Sequence, residues 1–170
     1  TRKTRVIAHS QQVVRVDSES RSPVPKQQQH ALKEWFQDLL HRAGTCVLSD
    51  YGKGVITRTF AQELIGIAKL HEKPIVVDPK GADYAKYRGA TLITPNLHEL
   101  EIATRTEVQD DATLLKAVRR LSDILPETIL LITRGAQGMS LFAPNQEPVH
   151  IPTVARNVYD VTGEIGRAHV

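Results

Sequence analysis

Pro74-Ile75-Val76-Val77, followed at once by Asp78-Pro79-Lys80-Gly81, is the stretch on which the fold turns. The run is short, rich in β-branched residues and apolar throughout, so both faces of the strand it predicts need cover. Strands inside parallel sheets have that character, whereas a strand with one wet face alternates. The same pattern recurs on either side. Thr45-Cys46-Val47-Leu48 lies upstream; Ala90-Thr91-Leu92-Ile93 and Thr128-Ile129-Leu130-Leu131-Ile132 lie downstream. Residues 57–70 lie between them with Phe60, Leu64, Ile67 and Ala68 at helical spacing. A short segment around 84–87 and helices over about 97–103 and 112–125 complete the alternation. Strands separated by amphipathic helices predict an α/β fold, a mostly parallel sheet with helices on both faces. After Gly138 the pattern changes. Residues 139–142, 149–151 and 158–159 are short strands with no helix between them, which predicts an antiparallel edge on the parallel sheet.

Further upstream, Leu32, Trp35, Phe36, Leu39 and Leu40 recur at helical spacing over 31–41, and Gly44 stops that helix. Residues 18–29 are polar with two prolines and read as a connector. Arg5-Val6-Ile7-Ala8 and Val13-Val14-Arg15-Val16 are extended stretches flanking a polar turn at 9–12.

Composition excludes several classes of function. Of 170 residues, 41% are hydrophobic, too many for a disordered chain. No apolar run approaches the roughly 20 residues of a membrane span. The single Cys46 rules out an internal disulfide framework and a Cys-rich zinc site, and fits a reducing, cytoplasmic setting. The chain starts at Thr1 rather than Met, so the lack of a visible leader says little about targeting. A net charge of +3 and a pI of about 9.1 hint at nucleic acid, but residues 1–26 alone carry +4 and aromatics are only 5%. A nucleic-acid face interleaves basic and aromatic residues, so neither nucleic acid nor a membrane is the expected partner.

In open parallel sheets, ligands bind beyond the carboxyl ends of the strands. Those ends read Ser49-Asp50-Tyr51-Gly52-Lys53-Gly54, Asp78-Pro79-Lys80-Gly81, Thr94-Pro95-Asn96-Leu97-His98-Glu99 and Thr133-Arg134-Gly135-Ala136-Gln137-Gly138. Lysines, an arginine, carboxylates and glycine turns on one rim suit a polyphosphate with a divalent cation. Each piece alone has a plainer reading. Asp50 and Asp78 serve equally as helix caps, and Asn96 with Glu99 forms a fair capping box. Gly135 and Gly138 suit ordinary turns, and Lys53 and Lys80 suit solvent. Their coincidence on one rim favours the functional reading.

These motifs carry a resemblance to the ribokinase-like (pfkB-type) carbohydrate kinase superfamily and, within it, to the heptose-7-phosphate kinases. Gln11-Gln12-Val13-Val14-Arg15-Val16-Asp17, Leu48 to Gly54, Val77-Asp78-Pro79-Lys80-Gly81 and Tyr87-Arg88-Gly89-Ala90-Thr91 carry it. So do Thr94-Pro95-Asn96, Thr133-Arg134, Gly138-Met139-Ser140-Leu141 and Val158-Tyr159-Asp160-Val161-Thr162-Gly163, so that it spans 1–163. The resemblance implies ATP and Mg2+ as cofactors and a sugar phosphate as substrate. Asn96 and Glu99 would position magnesium through its waters. Thr133, Gly135 and Gly138 would line the nucleotide, with Arg134 as a phosphate partner and Asp78 and Lys80 near the phosphates. Thr162 and Gly163 would belong to the anion hole. Asp50 and Lys53 would face the cleft, by position only. Strands at 1–17 would form part of a small β lid whose Arg5 and Arg15 meet an anionic sugar or simply face water. Such lids often build dimer contacts, which is compatible with a homodimeric parent, and 31–163 would be the α/β core.

One departure stands at the end. The superfamily continues Asp-x-Thr-Gly with Ala-Gly-Asp, whose Asp is the general base, but here Gly163 is followed by Glu164-Ile165-Gly166-Arg167-Ala168-His169-Val170. One frame of a common short-read sequencing adapter, with one extra base, encodes that heptapeptide, so 164–170 read as non-native. The expectation is an internal fragment of a kinase for D-glycero-β-D-manno-heptose 7-phosphate, itself inactive. A kinase for another sugar or a nucleoside, or a non-catalytic nucleotide-binding or dimerisation module, is the alternative.

Overall fold

The computed structural model describes residues 2–8, 11–19 and 22–153. The predicted strand at 158–159, Thr162, Gly163 and the segment 164–170 lie outside the described residues. The chain opens with β1 (Arg2–Ala8) and β2 (Gln11–Ser18), an antiparallel ribbon separate from the main sheet. Its register puts Arg5 opposite Arg15 on one face and Val6 opposite Val14 on the other, next to the Thr4–Val16 pair. Val6, Val14 and Val16 are all exposed.

Helix α1 (Lys26–Leu40) follows. It begins five residues before the expected start, because Pro25 presets the backbone at φ −54° and the glutamines after it favour helix without adding apolar period. The main sheet then forms from β3 (Cys46–Ser49), β4 (Ile75–Asp78), β5 (Leu92–Ile93), β6 (Ile129–Thr133), β7 (Met139–Phe142) and β8 (Val149–Ile151), paired in that order. The first four strands are parallel and the last two add antiparallel, as expected from the loss of helices after Gly138. Crossovers are supplied by α2 (Arg58–Leu70) and by α3 (Leu97–Thr104) with α4 (Asp111–Ile124).

One row of side chains shows how the core is made. Leu48, Val77, Ile93, Leu130 and Phe142 are register partners across five strands, and all five are buried. Phe60, Leu64 and Ile65 of α2 and Leu114, Val118 and Leu121 of α4 join them in a single cluster. Each fully buried aliphatic or aromatic side chain of this kind contributes about 1.5–3 kcal/mol. The opposite row, Val47, Val76, Leu92 and Ile129, is only half covered, and Val47 on the outermost strand is 72% exposed.

Helix entry is fixed by side chains. Thr57 Oγ1 accepts the Phe60 amide at 3.3 Å and starts α2 directly above the rim loop. Thr57→Ala is expected to cost about 1 kcal/mol, read as a shift of the urea midpoint.

Candidate active site

The carboxyl ends of β3, β4 and β5 converge on a recess of about 420 Å³ lined by Tyr51, Gly52, Lys80, Gly81, Asn96 and Glu99, among others. Parallel pairing dictates the convergence, since adjacent strands end at one level: Ser49 pairs with Asp78, and the Asp50 amide donates to the Asp78 carbonyl at 2.9 Å.

Asn96 opens α3 with a reciprocal capping box. Its Oδ1 accepts the Glu99 amide at 2.8 Å, and Glu99 Oε2 accepts the Asn96 amide at 3.1 Å. Glu99 is 8% exposed, and its other oxygen accepts from Lys80 Nζ at 2.8 Å. The capping reading and the functional reading are therefore compatible: one Glu99 oxygen serves the helix while the other faces the lysine. The Lys80 side chain is 55% exposed, so its ammonium meets both Glu99 and solvent in the recess. Its pKa lies above the ordinary lysine value because Glu99 hydrogen-bonds and attracts the charged form.

Asp78 accepts from Ser49 Oγ at 3.2 Å. Partial burial pushes its pKa up, the Ser49 bond opposes this, and the Glu99 charge adds to the rise. Charged Asp78 costs the folded state free energy above its raised pKa, and nothing below its unfolded value. Asp78→Asn is thus expected to raise the urea midpoint at neutral pH. The gain should shrink as pH falls through the folded pKa and vanish below the unfolded value near 3.8.

Thr133 is drawn to the same rim, bridging Asn96 in parallel fashion and donating its amide to Pro95 at 3.0 Å. Next to it, Arg134 is committed to the protein. Its guanidinium, 15% exposed, donates to Asp111 at 2.8 Å and to Ser140 at 3.2 Å. Gly135 and Gly138 bound a 3-10 turn (Gly135–Gln137), with φ of +57° and +83°.

Two expected cleft residues lie elsewhere, and the two ribbon arginines stand on the ribbon as expected. Asp50 does not face the cleft. It is 4% exposed and bonded to Gly52, Lys86 and Tyr87, because it continues the parity of buried Cys46 and Leu48. Lys53 does not face it either; it holds Glu19 of the connector at 2.6 Å and so ties the ribbon to the rim loop. Arg5 and Arg15 sit on the ribbon, where Arg15 pairs with Asp17 at 3.1 Å. Conversely, Tyr87 and Lys86, in the 3-10 turn Tyr84–Tyr87, were assigned no role by sequence reasoning. Burial, followed by the neighbouring Asp50 carboxylate, holds the Tyr87 phenol well above its usual range, so it stays a donor. No local sequence pattern marks this turn, and its Tyr84 and Tyr87 rings meet edge to face in the core.

A mostly parallel sheet with an antiparallel edge, a detached β ribbon and a Lys–Glu–Asn cluster at the strand ends define an α/β fold with a candidate site at the carboxyl ends of its strands. Residues 4–163 match the pfkB family carbohydrate kinases, and the chain belongs to that family. The chain is 47% identical over 163 residues to the bifunctional protein HldE of Geobacter sulfurreducens, covering 96% of this chain and 33% of that one. It is 48% identical over 162 residues to the same-named protein of Trichlorobacter lovleyi, covering 95% and 33%. It thus spans about a third of the length of the curated relatives it matches. Among solved structures it is similar to Escherichia coli phosphofructokinase-2 in complex with potassium (TM-score 0.66, 18% identity, 88% of this chain and 48% of that one). It is also similar to Arabidopsis thaliana ribokinase complexed with ribose and ATP (TM-score 0.64, 20% identity, 75% and 41%). Among the described residues no helix is long and apolar enough to cross a membrane.

Proposed function

We propose that the chain is a slice of an ATP-dependent kinase that phosphorylates the anomeric hydroxyl of D-glycero-β-D-manno-heptose 7-phosphate, on the route to ADP-heptose and the lipopolysaccharide core. The observation that carries this is the convergence of Asp78, Lys80, Asn96 and Glu99 at the ends of the adjacent parallel strands β4 and β5, in a chain of the pfkB family that is similar to HldE proteins. The residues fit ATP with Mg2+. Hard oxygen donors and a half-exposed ammonium share one recess. Among the described residues no three His, Cys, Asp or Glu side chains group tightly enough to grip a metal directly. Asn96 and Glu99 would hold magnesium through its waters, the habit of a cation that dehydrates reluctantly.

When bound, MgATP supplies the phosphoryl group and the cation that offsets its charge. Lys80 would donate to phosphate oxygens, and Thr133 with the turn from Gly135 to Gly138 would line the nucleotide. Arg134 would reach a phosphate only by leaving Asp111. Arg5 and Arg15 on the ribbon would meet the sugar's phosphate, and Thr162 and Gly163 would open the anion hole. We place the general base three residues after Gly163 in the intact parent, where this chain reads Gly166. Residues 1–163 are then an internal piece, 1–17 its lid and 31–163 its core, followed by a non-native tail. A cytoplasmic parent fits the single buried thiol of Cys46.

Phosphoryl transfer rests on positioning and electrostatics, so an incomplete rim loses nearly all rate. The purified 170-residue chain is expected to release no ADP above background with the heptose phosphate and MgATP. Turnover by this chain would overturn the assignment of the missing base.

A further inference from the structure

Asp50 is a buried carboxylate outside the recess, and it caps no helix. Its Oδ1 accepts the Gly52 amide at 2.7 Å. Its Oδ2 accepts from the Tyr87 hydroxyl at 2.7 Å and from Lys86 Nζ at 2.5 Å. Tyr87 is fully buried, and its oxygen accepts the Lys80 amide at 3.1 Å. Lys80 then extends its ammonium to Glu99, which is locked to Asn96 by the capping box. A continuous chain of bonds therefore runs from Asp50 through Tyr87 and Lys80 to Glu99 and Asn96, joining the loops after β3, β4 and β5.

The Oδ1 atom acts on the facing wall. Gly52, which it fastens, has φ of +65° and lies against Lys80: a Cβ built there would stand 3.4 Å from Lys80 Cγ. One carboxylate thus sets the backbone of Lys80 from below and the surface beside its side chain. An ionised acceptor suits this work, because charge-assisted bonds are the stronger and more directional ones.

We propose that Asp50 is the positioning residue of this rim, acting through Tyr87 and Gly52 to fix where the Lys80 ammonium stands. What Lys80 is positioned to do rests on the kinase reading; the positioning is a property of the chain by itself.

The test is acetylation of the ligand-free chain by acetic anhydride, with Lys80 quantified by mass spectrometry against exposed Lys69 as internal reference. In Asp50→Asn and in Tyr87→Phe, Lys80 loses its fixed approach to Glu99. Its labelling relative to Lys69 should rise about threefold, the size expected when a half-exposed ion pair of ordinary strength is lost. Glu99→Gln sets the ceiling, and the double variant should label no faster than the singles. Wild-type labelling in folded Tyr87→Phe would overturn the proposal, and would do so even if Asp50→Asn failed to fold. No nucleotide is present, so the result is independent of the kinase reading. Failure of MgATP to protect Lys80 in the unaltered chain would count against the kinase reading alone.

Discussion

Gly138→Ala is expected to lose about 3–5 kcal/mol of stability, from left-handed backbone strain together with overpacking. Gly138 has φ of +83°, and an added Cβ would fall 2.1 Å from the Ile151 carbonyl oxygen and 2.7 Å from the Thr153 amide. Those are backbone atoms at the end of β8, so no rotamer change relieves the contact. Either β8 leaves β7 or the turn after β6 opens, and the Arg134 amide loses its 2.7 Å bond to the Gly138 carbonyl. Gly135 is the control. Its φ is +57°, but open space surrounds it, so Gly135→Ala should cost only the left-handed penalty of about 1 kcal/mol. Urea unfolding of both variants checks this, and equal losses would show that the β8 contact does not govern the turn.

Lys86→Met is the second large effect, an expected loss of about 3–5 kcal/mol. The Lys86 and Asp50 side chains are 11% and 2% exposed, so removing the cation leaves a carboxylate with no opposite charge and no water. Lys86 also lies 4.9 Å above the Tyr87 ring, a further cation–π contact that goes with it. Adding Asp50→Asn to Lys86→Met should cost less than the sum of the singles, because a neutral carboxamide needs no cation. Additive losses would mean that the two side chains are not coupled. Lys69→Met, on an exposed turn of α2, should change the urea midpoint little.

How much of this was legible in the sequence depended on whether the signal was local. The strands at Cys46–Ser49, Ile75–Asp78 and Ile129–Thr133 announced themselves as apolar runs, and α2 and α4 as periodic segments. β5 is only Leu92–Ile93, shorter than its apolar run, since the chain turns to bring Asn96 to the rim. For the site, order along the chain showed which loops meet but not which way each side chain turns. Asp50 illustrates the limit, and part of that limit was avoidable. Two residues beyond buried Leu48, its parity already pointed inward rather than toward the cleft. Lys86 and Tyr87 lay further from view. Their turn has no periodicity, and their partner Asp50 is 36 and 37 residues away, a distance only the folded sheet closes. Lys53 was opaque for the same reason, its partner Glu19 lying in a connector with no pattern.

The proposed parent is a sugar kinase whose preferred acceptor is a heptose phosphate. The direct measurement uses the intact reading frame recloned from source DNA, with ATP-dependent phosphorylation followed side by side on D-glycero-D-manno-heptose 7-phosphate, fructose 6-phosphate and ribose. The account predicts the highest kcat/KM on the heptose phosphate, with loss of that activity in Lys80→Ala. Preference for fructose 6-phosphate or ribose, or full activity without Lys80, would contradict it.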